Sequence, residues 1–111
     1  MSISDADIAF TLELFEAVPN LTKRKMMGGA VFYSDGQVFA LTSSSGQIYL
    51  KASGAFAEEL AAEGAEIFTM TNKDGSTGSM GYWTLPDAAL DAPEEATRWA
   101  LRGLSFLQEG G

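Results

Sequence analysis

The sequence predicts one α+β domain in which helices pack an antiparallel sheet in the order α-β(3)-α-β(2)-α. Three observations lead there. Strand-like runs cluster between residues 21 and 51 and again between 66 and 85. Segments with helical apolar spacing stand before, between and after those clusters. An Asp35-Gly36 pair sits between two apolar runs, a strong short-range hairpin signal. Runs of strands with helices at the breaks point to α+β rather than to βαβ winding.

The first helix is expected from about Ser4 to Ala17. Ser4 can cap it, Asp5 and Asp7 suit the positive end of the helix dipole, and Ile8, Leu12 and Phe15 fall on one face. Pro19-Asn20 ends it. Leu21 to Met27 then leads into Gly28-Gly29. Ala30–Tyr33 and Val38–Leu41 flank the Asp35-Gly36 turn, Ser43–Gly46 makes a second turn, and Ile48–Lys51 is the third strand of an antiparallel meander.

A second helix is expected from about Gly54 to Glu63, with Phe56 and Leu60 four apart and Gly64 placed to close it. Glu66 to Thr71 reads as a strand, Asn72 to Ser79 as a polar loop and Met80 to Leu85 as the returning strand, which Pro86 breaks. The last helix starts with Asp91 as N-cap, Pro93 in the first turn and Glu94 completing a capping-box-like pattern. Trp99, Gly103 and Leu107 share one face, with Ala96, Ala100 and Leu104 beside them.

Composition narrows the chemistry. The 111 residues suit one domain with a core that needs no metal or disulfide. There is no Cys, so thiolate chemistry and disulfides are excluded. There is no His, which removes the commonest general base and metal ligand. The net charge of −8 repels polyphosphates and anionic lipid unless a local basic patch intervenes. The N-terminal residues lack a basic stretch followed by an apolar run, and no stretch is long and apolar enough to span a bilayer. The expected setting is cytoplasmic, away from membranes.

Several landmarks recur together. Lys25-Met26-Met27-Gly28-Gly29, the Asp35-Gly36 hairpin with Phe39-Ala40-Leu41, Tyr49-Leu50-Lys51, Met80-x-Tyr82-Trp83-x-Leu85-Pro86 and Trp99 follow one another in order. In order and spacing they resemble the N-terminal domain of the TfoX/Sxy competence regulators across nearly the whole chain. Met27 stands where that family often has Phe, a swap a core tolerates. The resemblance implies a fold of the secretion-chaperone-like type, a link to the regulation of DNA uptake, and no catalytic residues. It also implies homodimers, since relatives in that fold commonly dimerise. Full-length competence regulators carry a second, C-terminal domain. None follows Gly111 here, so residues 1–111 are expected to be a stand-alone N-domain.

Candidate sites are few. Lys23-Arg24-Lys25 is the one basic cluster, able to hold a phosphate, a nucleic-acid backbone or an acidic partner. In a strand, Lys23 and Lys25 share a face, Arg24 points the other way, and the charges also deter edge-to-edge pairing. Gly28-Gly29 marks a bulge or sharp bend rather than a ligand cradle. Asp74–Ser79 lacks the helix and the following Lys of a phosphate loop. Ser43-Ser44-Ser45 has no His to activate it, and a dyad with Lys51 or Lys73 is not called for by the spacing. Glu58-Glu59 and Glu94-Glu95 read as solvated helix faces, and of Tyr82-Trp83 one ring turns inward.

The leading expectation is a non-enzymatic interaction module with no cofactor, no metal and a protein partner. The alternatives are nucleic-acid binding through Lys23, Arg24 and Lys25, and an enzyme built on an unrecognised carboxylate or Lys.

Overall fold

A computed structural model describes residues 4–26, 28–71 and 77–108. The element order is α1 (Asp5–Leu14), β1 (Leu21–Met26), β2 (Gly29–Ser34), β3 (Gln37–Thr42), β4 (Ile48–Lys51), α2 (Gly54–Ala62), β5 (Ile67–Thr71), β6 (Thr77–Thr84), a 3-10 turn (Asp87–Ala89) and α3 (Pro93–Gln108). The six strands form one antiparallel sheet in the order β1-β2-β3-β4-β6-β5. This is the expected α+β architecture with one strand more in the first block: the segment before Gly28 pairs along its whole length with β2 as β1. No helix among the described residues is long and apolar enough to cross a membrane.

The local signals act where they stand in the chain. The Ser4 hydroxyl accepts the Asp7 backbone N–H at 3.1 Å and starts α1. That helix stops at Leu14, before Pro19; Val18 N–H then donates to the Phe15 carbonyl in a turn. Asp35 and Gly36 have φ of 51° and 80°, the two left-handed residues that a tight hairpin with the right twist requires. Gly64 closes α2 in a left-handed conformation, as expected. The last helix opens one residue later than expected. The Ala92 carbonyl, not Asp91, stands at the cap position and accepts the N–H groups of Glu95 and Ala96, while Pro93 takes the first helical place where its missing N–H costs nothing.

Two pairing irregularities shape the sheet. Phe32 pairs with Ala40 but Tyr33 pairs with Val38, so Phe39 is an extra residue on β3. This bulge lets Phe39 and Ala40, neighbours in sequence, both be buried on one side. The second lies where Ile67 pairs with Trp83 and Thr69 with Ser79, leaving Gly81 in β6 at φ 73°. Gly28, at φ 83°, lies at the sharp bend expected of the glycine pair, between β1 and β2, and Gly29 is already paired to Met26 as the first residue of β2. The polar loop expected from Asn72 is shorter, because β6 begins at Thr77; residues 72–76 lie outside the described residues.

All three helices pack on one side of the sheet. Ile8 and Leu14 from α1, Phe15 at its C-terminal cap, Phe56 and Leu60 from α2, and Ala96, Ala100 and Leu104 from α3 share a core with Phe32, Phe39, Ile48 and Leu50. Phe15 meets Phe39 edge-on at 5.3 Å, and Phe56 lies between Trp99 and Phe106. One buried polar tie joins helix to sheet. Thr11 donates to the Asp7 carbonyl at 2.9 Å, so its oxygen accepts the Thr42 hydroxyl at 3.2 Å.

Candidate functional site

The helices cover one face of the sheet, and strand alternation sends the remaining side chains to the other. Val31 stands between buried Ala30 and Phe32, Leu41 between buried Ala40 and Thr42, and Tyr49 between buried Ile48 and Leu50. Cross-strand register joins them into a row, Arg24–Val31–Leu41–Tyr49–Thr84. Thr22, Tyr33 and Val38 form a second row, and Lys51 lies opposite Tyr82. Phe68 stacks on Tyr49 with ring centroids 4.7 Å apart. Val31, Tyr33, Val38, Leu41, Tyr49 and Phe68 are all half-exposed. Among the described residues no helix lies over them.

The two faces treat the pair Tyr82-Trp83 as expected of neighbours in a strand. Trp83 is paired with Leu50 and packs against the helix-side core. Tyr82 points to the open face, where it is 9% exposed and outside that core. Burial pushes the Tyr82 hydroxyl above its ordinary pKa, and Tyr33 adds to the shift. Tyr49 is raised as well, by burial first and then by the Glu66 carboxylate.

Charge is sorted by layer. The strands carry Lys23, Arg24, Lys25 and Lys51 and not one Asp or Glu. On the helices, Arg98 pairs with Glu95, and Arg102 pairs with Glu59 while lying over the Trp99 ring at 5.5 Å. Lys25 meets Asp5 at 3.3 Å at the start of α1, an exposed pair of small energetic weight. The register puts Lys23 beside Phe32 and Lys25 beside Ala30 on the helix side, and Arg24 beside Val31 on the open side, as the alternation predicted. All three are exposed on β1, which is an edge strand, so their position is the one at which charge blocks intermolecular pairing.

The other candidates fall apart spatially or chemically. Ser43 and Ser45 bond to each other at 2.8 Å in the β3–β4 turn. Lys51 faces Tyr82 across the sheet. Lys73 and the Asp74-Gly75-Ser76 part of the polar loop lie outside the described residues, as does Met27. Among the described residues no three carboxylates gather as a metal site would need. A shallow groove on the outer side of α3, lined by Glu94, Thr97, Arg98, Leu101, Arg102 and Ser105, has no enclosing wall.

The resembling motifs occupy framework positions. Gly29 starts β2, Asp35 and Gly36 make the hairpin, Leu85 and Pro86 are buried after β6, and Trp99 packs on Phe56. Met26 and Met80 lie in β1 and β6. Only Tyr49, Lys51 and Tyr82 of this set belong to the open face. Val31, Tyr33, Val38, Leu41 and Phe68 were not singled out from the sequence, although alternation within each strand marked them as the side opposite the buried residues.

Compared with family models, residues 13–107 match the TfoX N-terminal domain. No curated protein matches the chain.

Proposed function

The chain belongs to the TfoX N-terminal domain family, and from that premise we propose that it works as a non-enzymatic regulatory module that binds a protein through the open face of its sheet. The observation that carries the reading is the one-sided packing: half-exposed Val31, Tyr33, Val38, Leu41, Tyr49 and Phe68 lie side by side on a rigid sheet. Apolar side chains grouped in this way mark association surfaces more often than free solvent boundaries. A chain without His or Cys also has little with which to move protons or bind metals, so shape and surface chemistry remain its means of action. A cytoplasmic setting and a role in the control of DNA uptake fit the family.

The test is a Leu41→Asp variant, which puts a charge at the centre of the face where no core contact is lost. Its melting temperature should stay close to the parent's. Proteins co-purifying with the parent chain from native cells should disappear from the variant's capture. Identical captures would defeat the reading.

A second reading, nucleic-acid binding by the basic strand, has one observation behind it: Lys23 and Arg24 are exposed and form no ion pair among the described residues. It predicts a gel shift at low salt that a Lys23→Ala/Arg24→Ala/Lys25→Ala variant loses. No shift at low salt dismisses it.

A further inference from the structure

The sheet ends in two edges of opposite design. β1 guards its edge with three consecutive cations, Lys23, Arg24 and Lys25. β5, at the other end, has no charged residue and no Pro from Ile67 to Thr71. Among the described residues β5 pairs only with β6, and no strand lies beyond it. Hydrogen bonds at its start fix which way the backbone faces. The Glu66 carbonyl accepts the Thr84 N–H at 2.9 Å, and the Glu66 N–H donates to the Thr84 hydroxyl at 2.9 Å. Both backbone groups of Glu66 thus turn toward β6. Those of Ile67, the next residue of the extended chain, turn the opposite way, out of the sheet. An outward donor and acceptor at an uncharged edge are a template for one more strand.

The surroundings of that edge decide what kind of strand it takes. Ile67, opposite Trp83, is 37% exposed on the helix side, and Phe68 lies on the open side against Tyr49. An added strand lays alternate side chains beside Ile67 and beside Phe68. Between Ala52 and Asn72 the sequence has four carboxylates, Glu58, Glu59, Glu63 and Glu66, and no Lys or Arg. Glu59 is paired with Arg102. Glu63, at the end of α2, and Glu66, just before β5, are exposed and form no ion pair among the described residues. We infer that β5 takes up, by backbone pairing, an extended segment of another protein that carries Lys or Arg where it passes Glu63 and Glu66 and apolar residues where it lies beside Ile67 and Phe68. Charge complementarity selects this occupant, since an acidic segment is repelled at the same place. The pairing uses the sheet edge and leaves Val31 and Leu41, at the middle of the open face, uncovered. It therefore stands or falls independently of the function proposed above.

The probe is a library of random peptides displayed on phage and selected at low salt on the immobilised parent chain. Selected peptides should be rich in Lys or Arg, with Val, Ile, Thr or aromatic residues at alternate positions, and their synthetic copies should bind less tightly as salt is raised. Ile67→Pro removes the outward N–H and leaves the bonds to β6 in place; it should weaken those peptides about ten-fold or more, the loss of one paired backbone donor. Glu63→Lys/Glu66→Lys, at two exposed positions, should weaken them as well while keeping the parent's melting temperature. Leu41→Asp should bind them as the parent does, which separates the edge from the open face. In the complex the Ile67 amide should exchange with deuterium more slowly than in the free chain. The inference is overturned if selection returns no common sequence or an acidic one, if the peptides hold Glu63→Lys/Glu66→Lys as tightly as the parent, or if Leu41→Asp abolishes their binding. It is also overturned if light scattering shows the parent to be a dimer that Ile67→Pro dissociates, which would give the edge to a second copy.

Discussion

At the scale of single residues, the tightest constraint is at Gly29. A Cβ built there would stand 2.3 Å from the Thr42 carbonyl oxygen, a backbone atom that cannot move without breaking the β2–β3 ladder. The glycine therefore marks a close approach of two strands, not a place for a ligand. Gly29→Val should destabilise the fold by roughly 2–4 kcal/mol, the range for overpacking combined with local strain. Thermal melts should show the loss directly, and an unchanged melting temperature would refute the structural role. The buried Thr11–Thr42 pair is satisfied in a chain: the Thr42 hydroxyl donates to Thr11, whose own proton goes to the Asp7 carbonyl, so neither hydroxyl is left without a partner.

At the scale of elements, the hairpin between β2 and β3 was the most legible feature, and the reason is local. Asp35 and Gly36 must both adopt positive φ, few residue pairs do so readily, and the constraint is written in two adjacent letters. Around it the chain is tied across a distance: the Asn20 side-chain amide donates to the Asp35 carboxylate, and the Ser34 hydroxyl donates to the Pro19 carbonyl at 2.6 Å. Gly36→Val places a β-branched side chain at φ 80° with open space around it, so any loss comes from backbone strain alone. It should cost about 1–3 kcal/mol in urea unfolding without altering the slope; no loss would contradict the turn geometry. Strand β1 was harder to count as part of the sheet, because its polar Thr-Lys-Arg-Lys run lacks the apolar alternation of a half-buried strand. The Phe39 bulge was invisible for another reason. Bulges are set by how two strands pair, and a pairing register is a long-range property. Gly81 was the exception that could have been noticed, since an isolated glycine inside a strand pattern signals a bulge or close backbone approach.

At the scale of the whole molecule, the one-sided packing decides both the open face and the response to alkali. Tyr82 and Tyr49 both lie on that face, and both hydroxyls are raised above the ordinary tyrosine value. Below the unfolded chain's pKa of about 10 both states hold the proton and the folded state keeps its full stability. As pH climbs through that value the unfolded chain ionises first, so stability falls until the folded pKa has been passed. Melting temperature followed from neutral into alkaline pH should drop above about pH 10, and Tyr82→Phe should remove part of that drop. A variant with the parent's alkaline slope would show that Tyr82 does not contribute. The open face itself could not be read in advance. Each strand declared which of its residues alternate, but which side the helices would cover is settled by packing among α1, α2 and α3, elements far apart in the chain.

The sorting of charge by layer has a practical consequence. On the open face the cations among the described strand residues are Arg24 and Lys51, while Lys23 and Lys25 turn to the helix side. A partner seated on Tyr33, Leu41 and Tyr49 therefore meets an apolar middle with positive charge beside it, and its hold should weaken as salt is raised.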